Sequence, residues 1–149
     1  ITMSETTAVA QPRPRVMLLD DDPFMLAMLE DMLGELGSFD VMCETCARRA
    51  LHALPATTPD LMICDLSMPE LDGIEFLQAA AGTGFRGGVV LLSGLDSGVR
   101  NAAEGLALAQ GLRVLGSFKK PASLDTLRMV IEPFLHKGDA GAAGAGAPG

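Results

Sequence analysis

The sequence predicts a single α/β domain built on a five-stranded parallel sheet with helices on both faces, and three observations predict it. Short apolar runs alternate with segments of helical periodicity, which argues for parallel strands joined by helical crossovers. The runs are apolar at consecutive rather than alternate positions, as strands covered on both faces are. Several of the runs end in a polar residue, so parallel strands bring those residues to one edge, where open α/β sheets place their sites.

The first run is Val16-Met17-Leu18-Leu19. Asp22 follows as a helix cap with Pro23 as a good first helical residue. Met25, Met28, Leu29, Met32, Leu33 and Leu36 recur at helical spacing until Gly37, and this methionine-rich stripe reads as core. Phe39 to Cys43 is the second strand, Ala47 to Leu54 a short helix, and Leu61-Met62-Ile63-Cys64 the third strand. Ile74 to Ala80 is the next helix and Val89-Val90-Leu91-Leu92 the fourth strand. Val99 to Gln110 is helical, with Ala102, Leu106 and Ala109 on one side, and Val114 to Phe118 is the fifth strand. Ser123 to Ile131 forms the last helix, which Pro133 should end or kink.

The 149 residues suffice for one sizeable core and not for two domains of ordinary size. A hydrophobic content of 48% with mean hydropathy +0.31 excludes a disordered chain. No apolar run approaches the roughly 20 residues that cross a bilayer, and the N-terminus lacks the charged-then-apolar layout of a signal peptide. A soluble cytoplasmic domain without membrane association is the expectation. The net charge of −8 argues against nucleic-acid binding. Cys43, Cys46 and Cys64 are an odd count with no secretory signal, as reduced thiols in a cytosol would be. Cys43-Glu44-Thr45-Cys46 spells C-x-x-C, but neither His52 nor His136 supplies zinc-ligand spacing.

Residues 1–14 carry no periodicity and read as a disordered segment, in which Ile1-Thr2 ahead of Met3 looks like a cloning remnant. Residues 138–149 are nearly all Gly, Ala and Pro, a flexible tail or linker. The glycines at 141, 144 and 146 follow no strand and precede no helix, so they are not a dinucleotide loop. The domain proper is expected over 15–137.

Between those ends, Asp20-Asp21-Asp22 follows the first strand, Asp65 the third, Ser93-Gly94 the fourth and Lys120-Pro121 the fifth, with Met68-Pro69 and Asp72-Gly73 in between. Three carboxylates, a hydroxyl and an ammonium gathered at one sheet edge can hold a divalent metal and accept a phosphoryl group. Gathered carboxylates raise one another's proton affinity unless a cation is present, and Mg2+ is bound by one or two carboxylates with water and phosphate oxygens.

This order and spacing resembles the receiver domain of two-component response regulators, from about Arg15 to His136. The resemblance implies a flavodoxin-like (βα)5 fold with strand order 2-1-3-4-5, an order taken from the family and not from these residues. It implies that Asp65 is the phosphoryl acceptor. It further implies that Asp21 and Asp65 ligate Mg2+ directly, Asp20 acts mainly through water, and the backbone carbonyl of Ser67 completes the set. Lys120 pairs with Asp65 and the phosphoryl oxygens, its bond to Pro121 is cis, and Ser93 donates its hydroxyl while Gly94 leaves room. The donor is a histidine kinase or a histidine phosphotransfer protein, and the output is a changed surface on the fourth helix and fifth strand. The domain is then a signalling phosphoacceptor and not an enzyme in its own right beyond its own phosphorylation and dephosphorylation. A homodimer is one option the resemblance leaves open.

The chain departs from the family at two places. Counted back from Lys120, the usual switch aromatic falls on Ser117, while Phe118 is one position late and should face the other side of the sheet. Ser67 stands where many relatives carry Asn, which bears on hydrolysis rate. The stretch Leu92 to Asp96 with Leu108 to Gly116 is similar to receivers attached to cyclic-di-GMP phosphodiesterase (EAL) domains, suggesting such an output domain beyond the C-terminal tail. A haloacid-dehalogenase-like phosphatase would need a second acid at Ser67 as proton donor. A flavodoxin-like electron carrier would want aromatic stacking that a chain without Trp or Tyr hardly offers. The alternative retained is a degenerate receiver that works as an interaction module without phosphorylation.

Overall fold

The computed structural model describes residues 13–67, 73–94 and 97–135. The elements run β1 (Arg15–Leu19), α1 (Pro23–Leu36), β2 (Asp40–Glu44), α2 (Ala47–Thr57), β3 (Leu61–Asp65), α3 (Gly73–Gly82), β4 (Gly88–Ser93), α4 (Ser97–Ala109), β5 (Arg113–Lys119) and α5 (Leu124–Leu135). All five strands are parallel, in the order β2-β1-β3-β4-β5. The fold is therefore the expected flavodoxin-like one, with the expected strand order.

Side-chain alternation divides the core in two. Met17, Leu19, Met62, Cys64, Val89 and Leu91 face α2, α3 and α4, where Leu54, Phe76, Leu77 and Ala103 meet them. Val16, Leu18, Leu61, Ile63, Val90 and Leu92 face α1 and α5, against Leu29, Leu33, Leu127 and Ile131. The central strands β1, β3 and β4 are buried almost throughout, whereas β2 and β5, at the sheet edges, are only partly so. Each large aliphatic side chain fully buried this way contributes about 1.5–3 kcal/mol.

Helix α1 begins as expected. The Asp22 side chain accepts a hydrogen bond from the Phe24 N–H at 3.0 Å, Pro23 occupies the first turn, and the Gly37 N–H closes on the Leu33 carbonyl at 3.1 Å. Its buried line is Leu26, Leu29 and Leu33, with Met32 and Leu36 partly buried beside it. The stripe is thus turned toward Leu26 and away from Met25 and Met28. In α4 the buried side is Ala103 and Ala107, one residue along from the expected Ala102, Leu106 and Ala109. Small residues at most positions of that helix make the periodicity ambiguous, and packing against β4 and β5 decides.

Two prolines do not stop their helices where the sequence suggests. α2 continues through Pro55 to Thr57, and α5 through Pro133 to Leu135. A proline removes one N–H and crowds the carbonyl four residues back, and both sit in a last turn, where few bonds remain to be lost. In α2 the Thr57 hydroxyl donates to the Ala53 carbonyl at 2.8 Å, an added bond across that last turn. Residues 1–12, Met68 to Asp72 and His136 onward, including the glycine-rich tail, lie outside the described residues.

Candidate functional site

Strand register builds the site. Leu19 pairs with Cys64, so the next residues, Asp20 and Asp65, leave neighbouring strands at the same level. Asp65 pairs with Leu92 and Ser93 with Lys119, so Ser93 and Lys120 arrive at the same edge one step further on. The Lys120 N–H donates to the Ser93 carbonyl at 2.9 Å, which ties those two segments together. The Lys120-Pro121 peptide bond is cis.

Carboxylate oxygens of Asp20, Asp21 and Asp65 lie within 4.8 Å of one another. Asp20 and Asp65 are 1% and 3% exposed, while Asp21 faces solvent. Lys120 Nζ stands 3.0 Å from Asp20 Oδ2 and 3.2 Å from Asp65 Oδ2, a single ammonium shared by two buried carboxylates. The sequence reading pairs Lys120 with Asp65 alone; its second contact, to Asp20, follows from register, which no local motif encodes.

Backbone donors fix the remaining oxygens. Asp20 Oδ1 accepts from the Asp22 N–H at 2.9 Å, and Asp65 Oδ1 accepts from the Ser67 N–H at 2.9 Å. Asp20 Oδ2 is shielded from solvent and, apart from its ion pair with Lys120, has no aligned hydrogen-bond partner among the described residues. Burial pushes the Asp65 carboxyl up, and the neighbouring Asp20 charge adds to this, against the opposing pull of the Ser67 N–H and Lys120. Burial alone would lower the Lys120 ammonium, but the two carboxylates more than reverse it, and the group is held above its ordinary range. One cation does not balance two buried anions and a third beside them, so the site stays short of positive charge. Three hard oxygen donors with a single ammonium among them are what a divalent cation would satisfy, and the residues present fit one.

Ser93 is fully buried beside this cluster, and a Cβ placed on Gly94 would meet nothing within 4 Å among the described residues. Cys64, behind Asp65, is fully buried, and burial, followed by the Asp65 and Asp20 charges, pushes its thiol up. The C-x-x-C pair does not gather into a cluster of metal-ligating side chains among the described residues.

On β5 the displaced aromatic resolves as a matter of facing. Ser117 pairs with Leu91, and its hydroxyl is buried without a hydrogen-bond partner among the described residues. Phe118 pairs with Leu92 and packs with the α1–α5 side of the core. An irregularity between Val89 and Val90 skips Leu115, and the Phe118 ring lies over Gly116, where a Cβ would be 2.4 Å from it.

The response regulator receiver domain family matches residues 16–132. The regulatory protein AtoC of Escherichia coli (strain K12) is 30% identical over 122 residues, 82% of this chain and 25% of AtoC. The cyclic di-GMP phosphodiesterase RocR of Pseudomonas aeruginosa is 29% identical over 120 residues, 80% of this chain and 31% of RocR. The chain thus spans about a quarter to a third of the length of these relatives. The crystal structure of a response regulator from Colwellia psychrerythraea superposes with a TM-score of 0.72 at 33% identity, covering 83% of this chain and 98% of that one. The receiver domain of a putative Luxo repressor protein from Vibrio parahaemolyticus shares the fold, with a TM-score of 0.71 at 18% identity, covering 88% of this chain and 96% of that one. Over this site and this sheet, the chain belongs to the response regulator receiver domain family.

Proposed function

We propose that this domain accepts a phosphoryl group on Asp65 from the phosphohistidine of a histidine kinase or phosphotransfer protein. The observation that carries the reading is the convergence of Asp20, Asp21 and Asp65 within 4.8 Å, with Lys120 bridging two of them. Asp21 and Asp65 would hold Mg2+ with the Ser67 carbonyl, and Asp20 through water. When bound, the cation neutralises charge on the phosphoryl oxygens and lets an anionic nucleophile approach. A carboxylate oxygen of Asp65 forms the new O–P bond as the donor's N–P bond breaks, and the imidazole leaves with its electron pair. Lys120 turns from the carboxylates to the incoming oxygens, and Ser93 donates its hydroxyl to one of them.

The added charge, near −2, would then reset the Ser93 and Lys120 contacts and the α4–β5 surface that carries the output. Residues 15–137 make up this unit in the cytoplasm, with 138–149 leading toward an output domain; the likeness to a cyclic di-GMP phosphodiesterase makes an EAL-type domain the first to look for. The domain acts as a phosphoacceptor rather than as an enzyme on other substrates. Ser117 in place of the switch aromatic favours the second reading, a receiver that signals as an interaction module without phosphorylation.

Intact-mass analysis after incubation with acetyl phosphate and Mg2+ tests both. One phosphoryl group, absent from Asp65→Asn and from the EDTA control, is the expected result. A folded, Mg2+-binding protein that gains no mass from any phosphodonor would move the assignment to the interaction module.

A further inference from the structure

At the opposite edge of the sheet, where β3, β4 and β5 begin, the chain forms a cleft of about 600 Å³. A second, smaller groove of about 280 Å³ shares Phe85, Arg86 and Arg113 with it. The larger one falls in the range of small-molecule sites, roughly 300–1,000 Å³. Its wall is apolar where Leu54, Pro59 and the half-buried Phe85 ring stand, and Arg86, Arg113 and Asp60 bring the charge. Two guanidiniums against one carboxylate leave the lining positive on a chain of net charge −8.

The cleft is held by backbone. The Asp60 N–H donates to the Arg15 carbonyl at 2.8 Å, and the Gly88 N–H to the Asp60 carbonyl at 2.9 Å. A Cβ on Gly87 would come within 2.6 Å of the Asp60 carbonyl, so the two loops meet backbone to backbone. Thr58 lines the cleft at φ +40°, the only non-glycine with positive φ among the described residues. That left-handed conformation is the C-cap of α2, where the Thr58 N–H donates to the Leu54 carbonyl at 2.9 Å, so the helix end itself forms this part of the wall. Arg113 and Asp60 are already engaged within the fold, whereas Arg86 is exposed and its side chain has no partner among the described residues.

We propose that this cleft binds a nucleoside monophosphate, its base against Phe85 and the proline wall and its phosphate on Arg86 and Arg113. A guanidinium offers paired N–H donors in the geometry a phosphate accepts, and an aromatic ring beside an apolar wall suits a planar base. The site lies at the amino edge of the sheet and is independent of the phosphoryl-accepting cluster.

The test is titration of the ¹⁵N-labelled full chain, without Mg2+, with GMP and AMP, and separately with guanosine and with inorganic phosphate. The expected result is amide shifts confined to 54–60, 83–88 and 111–113 with a Kd below about 1 mM for a nucleotide. Arg86→Ala, which removes an exposed side chain and leaves the fold intact, should weaken binding by about tenfold or more. Arg86→Lys, which keeps charge but not the fork, should restore only part of it. No localised shift at millimolar nucleotide overturns the proposal. So does inorganic phosphate binding as tightly as the nucleotides, an adventitious ion only, or binding that is indifferent to Arg86→Ala.

Discussion

At the carboxyl edge of the sheet, Asp20 and Asp65 are 1% and 3% exposed and share one ammonium. At the amino edge, Arg15, Arg86 and Arg113 are all exposed, and the loops between them are joined by backbone hydrogen bonds. The same five parallel strands generate both edges. Where strands end in register, their next side chains converge, and in a water-poor setting each charge acts strongly on its neighbours. Where strands begin, main-chain groups meet first, and the charged side chains reach solvent, where attraction is screened. Charge should therefore dominate the response to mutation at one edge and backbone shape at the other.

The largest effect expected on stability is from Lys120→Met. It leaves two buried carboxylates without their cation, at a cost of about 3 kcal/mol in the absence of Mg2+, toward the low end for a broken buried pair because Lys120 is itself 20% exposed. Added Mg2+ should recover more of the loss in this variant than it adds to the native chain, as urea midpoints with and without the ion would reveal. Equal midpoints for variant and native protein without Mg2+ would break the contrast at its strong end.

At the amino edge, Gly87→Ala should cost about 2 kcal/mol, because its Cβ would sit 2.6–2.8 Å from the Pro59 and Asp60 backbone, which cannot move aside as a side chain can. Phosphoryl uptake measured by mass should be unchanged once the variant is folded. By comparison Arg15→Ala, which loses the guanidinium contact to the Thr57 carbonyl at 2.8 Å, should cost under about 1 kcal/mol, since the site is exposed. If Arg15→Ala proved the more damaging of the two, side-chain charge and not backbone shape would govern that edge.

The thiols sharpen the comparison on the smallest scale. Cys43 and Cys64 each sit one residue before a strand's last, in β2 at the sheet's margin and in β3 at its centre. Iodoacetamide at pH 8 should leave Cys64 unmodified in the folded protein, since it is fully buried. Cys43 should react, but more slowly than a free thiol, because partial burial and then Glu30 push its thiol up. A folded pKa above the unfolded one means its contribution to stability is full below the unfolded thiol value, about 8.5, and is lost as pH climbs through the folded value. Labelling rates and urea midpoints between pH 7 and 10 would check both, and a Cys43 rate matching a free thiol at pH 8 would remove the assigned burial.

Much of this was legible in the chain itself. Apolar runs named all five strands to within a residue or two, and Asp22-Pro23 and Gly37 marked the ends of α1, because capping and periodicity act over a few neighbouring residues. The order of Asp20, Asp65, Ser93 and Lys120 at strand ends pointed to one edge of the sheet, and the structure brings Asp20, Asp65 and Lys120 into contact there. Other features depended on what lies across the sheet. Leu26 and Ala103 are buried because of how α1 and α4 rotate onto their strands, and Pro55 and Pro133 are tolerated because each falls in a last turn.

The Asp20–Lys120 contact and the cleft beside Arg86 join residues from different strands and loops. The sequence by itself determined which groups stand at strand ends, since where an apolar run stops and which residue follows it are local properties. Only the tertiary structure decided which of those groups share one ammonium and what the amino edge encloses, since distances between strands are set by register and packing that no single segment contains.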